Sequence, residues 1–193
     1  LFKQCFENYA GFSVFLAHEY ISPALDWELK IIKNLKEVDI VIPLITDNFR
    51  NSDFTDQELG MALAWEKIIL PIKLVDINPY GFIKKLQALN CHSEQSDVID
   101  AVITIVLALI DNDEFNIYKD LVIDSVVEAF CKSNSYKTTS IIIRILTKIE
   151  NFNTNQIVRV KNAIKNNNQV YGFFALPDFI KFLSDNHKIV IDS

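Results

Sequence analysis

Glycine is nearly absent from this chain: 4 in 193 residues, with no G-x-G-x-x-G run among them. Backbone cradles for a dinucleotide pyrophosphate or a triphosphate are built on such glycines, so those two classes of nucleotide site are excluded. Cysteine is as scarce. Cys5, Cys91 and Cys131 are odd in number and far apart, which excludes a disulfide framework and predicts three buried thiols in a reducing, cytoplasmic setting. His18, His92 and His187 are equally scattered, and beyond the neighbours Cys91 and His92 no second pair sits at zinc spacing, so no metal site is expected. A basic excess is missing too: 19 Lys and Arg face 25 Asp and Glu, for a net charge of -6 and a pI near 5.1. That leaves no footprint for phosphate backbones, and nucleic acid is not an expected partner. Long apolar runs are also lacking. The longest, VIDAVITIVLALI at 98–110, is too short to span a bilayer and contains Asp100, so it predicts a buried helix and no membrane partner. No signal peptide opens the sequence, and a start at Leu1 implies a few native residues upstream.

What is present is core. Half of the residues are hydrophobic, enough for one domain with an appendage or for two small domains. The first half alternates. FSVFLA (12–17) predicts a first strand. Ser22-Pro23 supplies an N-cap and a first-turn proline for a helix carrying Leu25, Leu29, Ile32 and Leu35 and ending near Lys36. VDIVIPLIT (38–46) predicts a strand buried on both faces, followed by a loop at 47–54, a helix at 55–66 and the strand IILPIKL (68–74). Pro43 and Pro71 lie inside two of these strands and predict edge positions or bulges there. A last, irregular strand is expected within 86–91 and a long helix at 94–110. The βαβαβ order favours a parallel sheet.

After residue 111 the pattern is helical only, with helices expected at 115–132, 137–150, 154–166 and 177–185. Tyr118, Leu121, Val122, Val126 and Phe130 form an apolar stripe on the first, and Leu176, Phe179, Ile180 and Leu183 form one on the last. The expected division is therefore an α/β domain at 1–111 and a helical domain at 112–193, with no fixed repeat period in the second.

The run NSDFTDQELG (51–60) carries the chemistry, because it puts Glu58 in a helix that follows a buried strand, at the edge where open α/β sheets bind ligands. A plainer reading accompanies it: Thr55-x-x-Glu58 also fits a capping box, which would spend the carboxylate on backbone amides.

Taken together, the FLAH run, VDIVIPLITDNF, SDFTDQELGMAL and IILPIKL resemble, over 12–74, a bacterial or archaeal Toll/interleukin-1 receptor (TIR) domain. The resemblance implies a flavodoxin-like parallel sheet of four to five strands. The chain departs from the family pattern in having room for only one helix between the first strand and VDIVIPLIT, which shortens the sheet and alters the loop usually called BB. Some TIR domains assemble scaffolds. Others cleave NAD at the nicotinamide N-glycosidic bond with one glutamate in an S-x-W/F-x-x-x-E motif, matched here by Ser52, Phe54 and Glu58. The resemblance thus implies Glu58 as catalytic residue, NAD as substrate with no resident cofactor, and nicotinamide with ADP-ribose or a cyclic isomer as products. It further implies a place in prokaryotic defence or stress signalling, self-association into a homo-oligomer, and a downstream effector that senses a nucleotide product. Around such a pocket, His18 and Glu19 after the first strand, and Asn48, Phe49 and Arg50 after the second, are candidate substrate-binding residues together with Ser52 and Phe54. Phe49 or Phe54 would stack on a base and Arg50 would meet the diphosphate. Two other functions fit the residues: a noncatalytic TIR scaffold in which Glu58 only caps its helix, and a nucleoside deoxyribosyltransferase-like enzyme in which Glu58 is a covalent nucleophile.

Overall fold

The structure is a computed structural model that describes residues 1–16 and 27–191, without the side chains of Trp27, Arg50 and Asp53. His18, Glu19 and the Ser22-Pro23 helix start lie outside the described residues. The chain forms two compact units, one of residues 15–101 and one that joins residues 1–14 to 102–193.

The α/β unit contains α2 (Trp27–Glu37), α3 (Asp53–Ala64) and five two-residue strands: β1 (Ile40–Val41), β2 (Leu44–Ile45), β3 (Ile68–Ile69), β4 (Ile72–Lys73) and β5 (Leu89–Asn90). All described pairings are parallel, β1 with β3, β2 with β4 and β4 with β5. The two prolines cause the fragmentation. Ile40 pairs with Ile68 and Leu44 with Ile72, so the register does not change across Pro43 and Pro71 and neither position is a bulge. Their carbonyls still serve the ladder, Pro43 accepting from the Ile72 amide and Pro71 from the Leu89 amide, each at 2.9 Å. Only the donors that proline lacks are missing. Pro71 sits on the middle line of the described sheet, not on an edge, because the position where its N–H would pair precedes the start of β5.

The sheet's core is made of Ile45, Phe49, Leu59, Ala62, Ile69 and Ile83, with Leu35, Val41, Ile77, Tyr80 and Ala88 packed against it. α2 contributes Leu35, whereas Leu29, expected on the same stripe, is 63% exposed.

The helical unit takes in a short N-terminal segment that the alternating pattern did not foretell. α1 (Phe2–Cys5) runs on as a π-helical turn at Phe6–Ala10, burying Cys5, Phe6, Tyr9 and Ala10. It stops at Gly11, which has φ +70° and lies so close to α5 that an added Cβ would stand 2.2 Å from the Ser125 carbonyl oxygen. Beyond it, the expected first strand at 12–17 is not formed: residues 12–16 carry no ladder, and the Phe12 ring is instead stacked on Phe6 at 6.0 Å. Residue 17 is outside the described residues.

α4 (Gln95–Asp111) is buried nearly all round, as its composition predicts, with Asp100, Thr104, Ala108 and Asp111 on its exposed line. The unit changes within this helix, between residues 101 and 102. α5 (Asn116–Cys131), α6 (Tyr136–Leu146), α7 (Thr154–Asn166), the short α8 (Asn168–Tyr171) and α9 (Leu176–His187) complete the chain. The helix expected at 137–150 ends early, and α8 was not anticipated. Val126, Phe130, Phe179 and Leu183 are buried as their stripes predict, but Leu121 is 62% exposed. Arg159 on α7 ties down α5 through the Asp124 and Glu128 carboxylates. Gln156, fully buried, completes a capping box with Asn153 and also donates to Asp124. The three cysteines are free, two buried and Cys131 partly so. Among the described residues no helix is long and apolar enough to cross a membrane, and no three His, Cys, Asp or Glu side chains cluster as metal ligands.

Candidate active site

Parallel strands all end on one edge, and there the loops after β2 and β4 come together. The first leaves Ile45 and makes a 3₁₀ turn at Phe49–Asn51, with the Phe49 and Asn51 amides donating to the Thr46 and Asn48 carbonyls. Ser52 then caps α3, its hydroxyl oxygen accepting from the Thr55 amide at 3.4 Å. The helix thus starts two residues earlier than Thr55, and the Thr55-x-x-Glu58 capping box is not formed. Glu58 falls in the second turn, where no free amide remains for it to cap.

Its surroundings follow from helical spacing. Glu58 is four residues before Ala62, which is fully buried, and next to Leu59, also buried. It is therefore on the margin of the core-facing side, and it is half-buried. Burial raises its carboxyl above the ordinary glutamate range, with no charge or hydrogen bond offsetting the effect. Among the described residues the carboxylate has no hydrogen-bond or ion-pair partner. A glutamate held out of water and unpaired is what a site for developing positive charge needs.

The other expected site residues are placed unequally. Ser52 is engaged as the cap. Phe54 opens α3 with its ring 47% exposed, and Asn48 is exposed in the loop. Phe49 is 8% exposed and part of the core, its ring meeting Tyr80 edge-on at 6.1 Å. Arg50 is on the 3₁₀ turn, with its side chain undescribed, and His18 and Glu19 lie outside the described residues. Phe54, Ser52 and Glu58 therefore share one helix start, while Phe49 serves the packing beneath it.

Two further residues, Tyr80 and Asp56, belong to this edge and were not among those expected from the sequence. The Tyr80 hydroxyl donates to Asp56 Oδ1 at 2.9 Å, with the Phe49 carbonyl at 3.4 Å. The signal was available: the Asn78-Pro79-Tyr80-Gly81 turn follows the strand at 68–74, so Tyr80 had to emerge at the same edge as Glu58.

Fold and site together define a parallel α/β domain that presents beyond its strand ends a half-buried carboxylate with no partner among the described residues. The model of the TIR domain family matches residues 3–105, more than half of the chain, and the protein belongs to that family. No curated protein and no solved structure matches it. TIR domains act in signalling or in NAD cleavage, and they commonly self-associate.

Proposed function

We propose that this protein cleaves NAD at the bond between nicotinamide and ribose, with Glu58 as the catalytic carboxylate. The observation that carries the reading is that Glu58, on a TIR-family chain, is half-buried, has no partner among the described residues and takes no part in capping its helix. In the reaction the C1′–N bond breaks and its electron pair goes to the nicotinamide nitrogen, which becomes neutral. No general acid is required. The ribosyl group is left as an oxocarbenium ion, which a nearby carboxylate stabilises as in glycoside hydrolysis. Attack by water, with loss of its proton, gives ADP-ribose; attack by a nitrogen of the substrate's own adenine gives a cyclic isomer. At about 4 Å and an effective dielectric near 20, the attraction is on the order of 4 kcal/mol, roughly a thousandfold in rate. Phe54, half-exposed one turn before Glu58, suits the face of a base, and Asn48, Arg50, His18 and Glu19 are the candidates for the remaining contacts. We place the activity in prokaryotic defence or stress signalling, carried out by a cytoplasmic homo-oligomer whose nucleotide product informs an effector.

The test is chromatography of NAD incubated with concentrated protein, wild type beside Glu58→Gln. Wild type is expected to release nicotinamide and the variant to be slower by roughly a thousandfold. Equal rates would make the chain a noncatalytic TIR scaffold. Base exchange on deoxynucleosides without turnover of NAD would make it a deoxyribosyltransferase-like enzyme.

A further inference from the structure

We infer that Tyr80 is a positioning residue for Glu58: its phenol fastens the entry and first turn of α3 to the loop that leaves β4, and so fixes where the Glu58 carboxylate stands. The kinetic consequence rests on the NAD-cleaving reading above. The side-chain cap of α3 is weak. The Ser52 cap is long at 3.4 Å, near the limit of a useful hydrogen bond, and it lacks the reciprocal bond that Gln156 gives to α7. Tyr80 adds a restraint from outside the helix. Its one proton goes to Asp56 Oδ1 at 2.9 Å, and the Phe49 carbonyl oxygen is a weaker acceptor at 3.4 Å. The hydroxyl thereby holds the first turn of α3 after Ser52, while the ring, edge-on to Phe49 in the core, holds the stretch before it.

The loop that bears Tyr80 is itself braced. Lys73 Nζ, on a side chain 12% exposed, reaches Asp76 Oδ1 and Asn78 Oδ1, both at 3.1 Å. A line of restraint thus runs from β4 through Lys73 and Tyr80 to Asp56. Glu58 follows two residues later on a stiff rod rising about 1.5 Å per residue, so a displacement of the first turn is passed on to its carboxylate. For a group that acts by position, an error of about 1 Å costs up to roughly a hundredfold.

Tyr80→Phe keeps the ring and removes only the hydroxyl. In the full chain, nicotinamide release is measured against NAD concentration, and the Glu58 carboxyl is titrated by carbon-13 NMR, its resonance assigned with Glu58→Gln. The expected result is a kcat lower by roughly ten- to a hundredfold with KM within about twofold. The Glu58 midpoint should move toward the ordinary glutamate value, and Asp56→Ala added to Tyr80→Phe should cost little more. A Glu58 midpoint identical to wild type overturns the proposal, even if the melting temperature falls, because that is the mark of a merely structural bond. An unchanged kcat in a protein that turns over NAD overturns it too. If wild type releases no nicotinamide, the NAD-cleaving reading fails and the titration alone decides the role of Tyr80.

Discussion

Under the proposed NAD-cleaving function, Glu58 joins catalysis and stability in one side chain. Because burial raises its pKa in the folded state, the protonated form is the one folding favours. Its contribution is fully present below the unfolded value and is lost as pH rises through the folded one. Glu58→Gln should therefore melt above wild type near pH 7 and level with it near pH 4, as calorimetry at the two pH values would show. Nicotinamide release should in turn fall on the acid side at a pH above the usual glutamate range. Gly11 makes a different demand. With φ +70° and the Ser125 carbonyl oxygen 2.2 Å from any added Cβ, Gly11→Ala should cost about 2–4 kcal/mol, read from denaturant unfolding. Glu58 was legible in the sequence because a buried strand, a short loop and a helix fix the edge at which it emerges. The true cap was not, since Ser52 and Thr55 are both chemically suited to capping and only the 3₁₀ turn at Phe49–Asn51 decides between them. Phe49 and Phe54 look alike in a loop; the turn sends one into the core and leaves the other outside.

Strands and helices were legible to different degrees, for physical reasons. The helices from α4 to α9 follow apolar spacing closely, apart from α8, a single turn too short to have a period. The paired strands were found, and their prolines were expected to mark edges or bulges: Pro43 does lie on an edge of the described sheet, whereas Pro71 lies on its middle line, where parallel geometry absorbs it by using the carbonyl and forgoing the donor. FSVFLA fails as a strand over 12–16 because Phe12 finds a ring partner in Phe6, a tertiary choice that local sequence does not encode. α9 supplies a prediction of its own. His187, at its last turn, is set between Phe152 and Phe182, at centroid distances of 5.0 and 5.2 Å, with Nε2 buried and unpartnered. Burial lowers its pKa, so its stabilising effect is present above the unfolded value of about 6.5 and is lost as pH falls toward the folded one. His187→Leu should flatten the decline in helix stability between about pH 7 and pH 5, followed by circular dichroism during urea unfolding.

The chain as a whole is an α/β unit inserted into a helical one, since residues 1–14 and 102–193 form a single body and the excursion at 15–101 forms the other. Composition could not reveal this, because the helices at the two ends share no motif that local sequence would pair. A chain cut short at residue 111 would lose α5 and α6 from against Phe6, Tyr9 and Ala10 and would uncover Val106, Leu109 and Ile110, all buried in the full chain. It is expected to aggregate more, and to bind a hydrophobic dye more strongly, than the full chain; size-exclusion chromatography and dye fluorescence on both would show it. The seat of Gly11 against Ser125 also sets an order in time. The segment ending at Gly11 leaves the ribosome long before α5 is made, so its apolar face must wait, uncovered, while the entire sheet is synthesised. Any chaperone that attends this protein at birth has that short stretch of Phe, Cys and Tyr to hold on to.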